Sequence, residues 1–190
     1  MIMLRIKTLS GPLSSKARFD VWQDGHLIYQ ITEDSSNFCR TLFGFTKLRM
    51  LFPLNVEIVD LRTYKRFNLY RGVSFISTFY EIRENRQMIA SFNPEKMKRL
   101  PLKSAMNYEI RDSLNRVIGS TIFKNPFIIG SQHGEVKDDK GNPVASFEWK
   151  RFSFWKGYRD CDLLITSRDE NWVIISIAAA IIKGLYLQQR

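Results

Sequence analysis

Polar and apolar residues alternate in short runs along most of the chain, and turn residues break the runs. Phe19-Asp-Val-Trp22 and Leu27-Ile-Tyr-Gln-Ile31 flank Gln23-Asp24-Gly25-His26. Asp-Gly accepts the positive φ of a tight hairpin turn, so this stretch is predicted to be a hairpin. The pattern then repeats. Glu57-Ile-Val-Asp60, Glu81-Ile-Arg-Glu84, Glu109-Ile-Arg-Asp112 and Glu135-Val-Lys-Asp138 share the order Glu, aliphatic, variable, acidic. Each is followed by a polar turn and a second run: Phe67-Asn-Leu69, Met88-Ile-Ala-Ser-Phe92, Val117-Ile-Gly-Ser-Thr-Ile122 and Val144-Ala-Ser-Phe147. The turn of the last unit, Asp139-Lys-Gly-Asn-Pro143, has the backbone freedom and fixed φ that turns use.

Each unit is therefore a candidate hairpin. Side chains alternate faces along a strand, so Tyr108, Ile110 and Asp112 share one face and Glu109 and Arg111 the other. The aliphatic residue points inward. The repeated glutamates read as a solvated face with cross-strand ion pairs, each worth roughly 0.2–1 kcal/mol. A metal or catalytic site would need them to converge at one point, and strands side by side spread them out. Hairpins in series predict an all-β antiparallel meander, and closing it into a barrel removes its exposed edges. A barrel of about 12 strands has an interior wider than its own side chains fill, so something must occupy it.

The occupant is at the C-terminus. From Trp172 to Ile182 only Ser176 is not apolar. A spanning helix needs about 20 apolar residues, and Lys183 and Gly184 interrupt this run well before that. Ser167 and Asp169 are candidate N-caps, with Asp169 and Glu170 at the positive helix end. A helix apolar on nearly all sides is buried all round. The expectation is thus a single domain over 1–190: a closed barrel of about 12 strands wrapped around a central helix at 171–187. The rival is a tail anchor. Lys183 fits the barrel only at its mouth, snorkelling to water.

Composition adds charge to this picture. The chain has 190 residues, 44% hydrophobic and 25% charged, enough for one domain with a real core. Its 29 basic against 19 acidic residues give +10, which favours anionic partners. Cys39 and Cys161 form no disulfide framework, and Met1-Ile-Met-Leu-Arg-Ile-Lys7 carries no secretory h-region, so a reducing cytoplasm is expected.

Catalytic chemistry finds little to work with. His26 and His133 are the only histidines, both at hairpin ends, and neither forms a pattern with a cysteine. Zinc-ligand spacing and a phosphate-binding glycine loop are lacking. The expectation is a protein without catalytic residues, metal site or cofactor. Binding is a better prospect. Phe38 to Pro53 interleaves Arg40, Lys47 and Arg49 with Phe43, Phe45, Leu51 and Phe52, a composition suited to an anionic interface. Lys96-Met-Lys-Arg-Leu-Pro-Leu-Lys103 reads as an exposed loop whose Lys96, Lys98, Arg99 and Lys103 are candidates for lipid phosphates. These seven cations are the expected lipid-binding residues. The partner classes are an anionic membrane surface, a protein bound by a scaffold without lipid, and, below these, nucleic acid; the oligomeric state stays open.

The C-terminal block has a further property. Lys150-Arg-Phe-Ser-Phe-Trp155, Tyr158-Arg-Asp-Cys-Asp162-Leu-Leu-Ile165, Arg168-Asp-Glu-Asn171 and the apolar helix resemble the LURP-one-related family, which belongs with tubby C-terminal domains and phospholipid scramblases. Asp139-Lys-Gly-Asn-Pro-Val144 resembles that family's repeated turns. The likeness covers about 79–187; the N-terminal third shares only the hairpin rhythm. It implies a closed barrel of about a dozen strands around a C-terminal helix. For ligands it implies less. Tubby domains bind phosphoinositides, but no residues here match that basic site. Scramblases bind calcium just before the final helix, where this chain has Asp160, Asp162, Asp169 and Glu170; their spacing lacks the calcium-loop glycine, so helix capping is the reading. The family often has an acidic residue near the helix end, where this chain has Lys183.

Overall fold

The computed structural model describes residues 1–9, 16–34, 53–72, 79–94, 107–123, 131–153 and 157–188. Among the described residues, twelve strands precede one helix: β1 (Ile2–Thr8), β2 (Arg18–Gln23), β3 (His26–Glu33), β4 (Leu54–Asp60), β5 (Arg66–Arg71), β6 (Tyr80–Glu84), β7 (Gln87–Pro94), β8 (Asn107–Asp112), β9 (Val117–Phe123), β10 (Gln132–Asp138), β11 (Pro143–Ser153), β12 (Gly157–Ile165) and α1 (Glu170–Gln188). Every strand pairs antiparallel with its sequence neighbours, and β1 pairs with β12 to close the barrel. The sheet has no free edge, as the meander pattern predicts.

Inside and outside follow the period of two. Val56, Ile58, Leu69, Ile82 and Ile110 are fully buried, whereas Glu57, Glu81, Glu109 and Glu135 lie half-exposed on the outer wall. The predicted cross-strand pairing of these glutamates needs correction. Glu57 does pair across strands, with Arg66 at 3.4 Å. Glu81 pairs with Arg83, Glu109 with Arg111 at 2.6 Å and Glu135 with Lys137 at 3.7 Å, each two residues along its own strand. Positions i and i+2 share a face, so the strand's own cation lies within reach.

The acidic residue that closes a repeat folds the turn that follows it. Asp112 accepts from the backbone N–H of Leu114 and of Arg116, both at 2.9 Å, and from Arg116 Nε at 2.8 Å. Asp138 accepts from the N–H of Lys140 at 3.0 Å and of Asn142 at 2.7 Å. Asp60 accepts from Arg62 N at 2.8 Å and Arg62 Nη2 at 3.0 Å, and the same Nη2 donates to Tyr29 Oη at 2.8 Å. Such carboxylate brackets satisfy turn N–H groups that the ladder leaves over. The Asp24-Gly25 turn behaves as expected, with φ of 49° and 81°.

Helix α1 fills the barrel. From Val173 to Leu185 its side chains are buried on every side, and Ala178, Ala179 and Ala180 are wholly so. Its N-terminus is capped as the sequence suggests: Asp169 Oδ1 accepts from Asn171 N at 2.8 Å and Trp172 N at 3.3 Å. Glu170 then binds Lys65 of the β4–β5 turn at 2.7 Å. Deeper in, the Trp149 indole donates to the carbonyl of Ala180 at 2.9 Å, a tie between wall and helix that also satisfies a buried N–H. Gly184 makes room for that indole. A Cβ there would stand 2.9 Å from Cη2 and 3.1 Å from Cε2, and nearer still to Cζ2.

Lys183 departs from expectation. It does not snorkel: it is 2% exposed, with Nζ lying 5.7 Å over the ring of Phe123. Burial against an aromatic face is one way the barrel accommodates a cation, because the ring quadrupole attracts it. Arg71, also 2% exposed, lies over Tyr80 at 5.8 Å in the same manner. Tyr80, Tyr108, Phe123 and Phe147 form a continuous aromatic belt between them, with centroids 6.1, 5.8 and 5.9 Å apart.

Candidate functional site

An antiparallel meander sorts its connections. One end of the barrel, the turn end, carries 24–25, 61–65, 85–86, 113–116, 139–142 and the approach to α1 at 166–169. The other, the loop end, joins its strands through 9–17, 34–53, 72–79, 95–106, 124–131 and 154–156. The helix runs from the turn end, where Glu170 meets Lys65, towards the loop end, where Lys183 meets Phe123 at the close of β9.

This sorting distributes the charge. The connections of the loop end contain Lys16, Arg40, Lys47, Arg49, Lys96, Lys98, Arg99, Lys103, Lys124 and Lys156 against Asp34 and Glu95, ten cations to two anions. Most of the chain's net +10 therefore belongs to segments that join strands at one end. The turn end has six cations, but Arg62, Lys65 and Arg116 are ion-paired with Asp60, Glu170 and Asp112. The seven expected lipid-binding residues Arg40, Lys47, Arg49, Lys96, Lys98, Arg99 and Lys103 lie outside the described residues. The strands flanking them are described, and β3–β4 and β7–β8 both open to the loop end.

A second feature lies on the barrel wall. A groove of about 490 Å³ is lined by Asp34, Pro53, Leu54, Asn55, Asn68, Tyr70, Arg83 and Arg86. Register explains it: Asn55 stands opposite Tyr70 and Asn68 opposite Arg83, all on the outer face of β4–β6. The Arg83 guanidinium is held by Glu81, with Nε donating at 2.9 Å, and lies 5.5 Å over the Tyr70 ring. Asn55 donates to Asp34 at 3.5 Å. A smaller hollow of about 320 Å³ crosses β10–β12 and β1, where Glu148 faces both His133 and Asp162. Asp162 is engaged there, since it binds Lys150 and, at 3.3 Å, Arg5.

His26 is exposed, its Nδ1 3.1 Å from the carbonyl of Asp24 in the hairpin turn. His133 points outward from β10. Cys161 is buried in the core and burial pushes its thiol well above the ordinary range, which leaves it protonated and unreactive; Cys39 lies outside the described residues. Among the described residues no three His, Cys, Asp or Glu side chains gather to hold a metal ion. Of the four acidic residues before the helix, Asp169 caps it, Glu170 binds Lys65 and Asp162 binds two cations. Burial raises the Asp162 carboxyl, but the hydrogen bond and charge of Lys150, with Arg5 behind, outweigh it and hold it below its usual value. No helix among the described residues is long and apolar enough to cross a membrane.

The groove escapes sequence reading because Tyr70, Arg83 and Asn55 meet only through strand register. The acidic brackets are visible as a repeat, but their role as turn anchors is not. Comparison with protein families, curated proteins and solved structures finds no match for the chain.

Proposed function

We propose that this chain is a non-catalytic, tubby-like barrel domain of the cytoplasm that docks peripherally on anionic phospholipid through its loop end. The observation that carries the reading is the charge sorting: ten cations against two anions in connections that all join strands at one end. The same connections contain Phe38, Phe43, Phe45, Phe52, Phe127, Phe154 and Trp155. Cations near an anionic leaflet contribute about 1 kcal/mol each, and apolar side chains between them add interfacial partitioning. The resemblance of the C-terminal block to LURP-one-related proteins favours the same class of domain.

Flotation of the full chain with vesicles tests it. Binding to phosphatidylserine vesicles, none to phosphatidylcholine vesicles and release by high salt are expected. Reversing Lys96, Lys98, Arg99 and Lys103 to glutamate is expected to abolish flotation without changing the thermal midpoint. Equal binding to both vesicle types, or none to either, overturns the reading and leaves a protein-binding scaffold. Salt-sensitive retention on DNA but not on vesicles would move the partner to nucleic acid.

A further inference from the structure

We propose that the outer groove of β4–β6 is a docking site for an extended, acidic segment of another protein. The groove meets a loop-end connection at Asp34 and Pro53, but Asn68, Tyr70, Arg83 and Arg86 lie outside those connections, so variants at Tyr70 and Arg86 test it separately from the membrane reading. Its walls include side chains that the fold does not use. Asn68, the Tyr70 hydroxyl and Arg86 make no side-chain hydrogen bond among the described residues, although Asn68 and Tyr70 are only partly exposed. The Arg83 guanidinium is already fixed by Glu81 and the Tyr70 ring, so a ligand need not order it.

Shape and chemistry choose the occupant. Tyr70 stands opposite Glu81, and Arg86 lies five residues further along β6 and its turn. The three strand steps to Glu84 are about 10 Å at roughly 3.3 Å per residue and the turn adds little, a span of about four extended residues. The amides of Asn55 and Asn68 each offer a donor and an acceptor, the complement of a peptide main chain. Arg83 and Arg86 line one end and suit carboxylates, Asp34 lines the other, and Arg86 makes no side-chain hydrogen bond among the described residues, so the acidic residues of a ligand belong at the arginine end. A groove of about 490 Å³ whose lining reaches from Leu54 at the start of β4 to Arg86 beyond the end of β6 suits an extended chain better than a compact anion.

The test is fluorescence anisotropy of the full chain with two arrays of labelled hexapeptides. One fixes two adjacent acidic positions and randomises the rest; the other fixes two lysines. The acidic array is expected to bind in preference. Arg86→Asn, which suits the φ of 71° at that position, and Tyr70→Phe are expected to weaken the best acidic binders tenfold or more together. Both variants are expected to keep the wild-type thermal midpoint and vesicle flotation. An acidic array that binds no better than the lysine array overturns the proposal. Unchanged affinity in folded variants overturns it too, and so does loss of flotation in them with peptide binding intact, which would make the groove a lipid headgroup site.

Discussion

Gly184→Ala sets two well-measured effects against each other inside α1. Helix propensity alone favours alanine over glycine by about 1 kcal/mol. The packing argues the other way. Trp149 is wholly buried, its indole N–H is tied to the Ala180 carbonyl, and its ring occupies the space a Cβ would take, 2.9 Å from Cη2 and nearer to Cζ2. The ring cannot retreat without breaking that hydrogen bond or pressing on Phe19, whose centroid is 6.0 Å away. Overpacking of this kind costs typically 1–3 kcal/mol, so the net expectation is a loss of up to about 2 kcal/mol despite the propensity gain. For a chain of this size that is a fall of several degrees in thermal midpoint, at about 2–4 °C per kcal/mol. Urea unfolding followed by circular dichroism measures it, and a double-mutant cycle isolates the cause. Trp149→Phe removes the second ring, so in that background Gly184→Ala becomes neutral or stabilising, with a coupling of about 1–3 kcal/mol. If Gly184→Ala stabilises the wild-type chain, the indole does not occupy the place described and the account of helix-to-wall packing fails.

Asp169→Ala removes the cap of α1 and is expected to cost about 1 kcal/mol in urea unfolding; no change would mean that Ser167 or water replaces it fully. The acidic brackets predict a pH dependence. Burial raises Asp60 but the hydrogen bonds from Arg62 overcome it, Asp112 is lowered by Arg116, and Asp138 by Asn142. Groups whose carboxyls are depressed on folding contribute fully above the ordinary carboxylate value of about 3.9 and lose that contribution as pH falls through their folded values. The thermal midpoint should therefore drop below about pH 4, less steeply in Asp138→Asn; a midpoint flat from pH 6 to pH 3 would contradict the bracket role. Truncation before Glu170 empties a 12-strand barrel of its core, and loss of a cooperative thermal transition is expected; a sharp transition in that truncated chain would show that the wall stands without its helix.

Much of this architecture is written locally. Period-two runs around Asp24-Gly25, Asn85-Arg86 and Asp139–Asn142 define hairpins, because side-chain alternation and turn chemistry depend on residues close in the chain. The run Trp172–Ile182 declares a buried helix, since an apolar cylinder has no face to show to water. Even its start is legible: the expected 171–187 is Glu170–Gln188 in the fold, with Asp169 as cap.

What local pattern cannot express is which residues meet across strands. Alternation says that Glu81 and Arg83 face outward, but register alone puts Asn68 opposite Arg83 and Asn55 opposite Tyr70, and so makes a groove. The burial of Lys183 is of the same kind: its neighbours in sequence would let it reach a barrel mouth, and the Phe123 ring of a distant strand receives it instead. The charge sorting stands between the two. The cations are countable in the sequence, but it is the antiparallel neighbour order of the folded strands that assigns alternate connections to opposite ends. Composition and period thus determined the elements, the turns and the helix at the centre, because those depend on nearest neighbours. The groove, the buried cation and the one-ended charge were decided by tertiary structure, because each is a relation between residues that the chain itself keeps far apart.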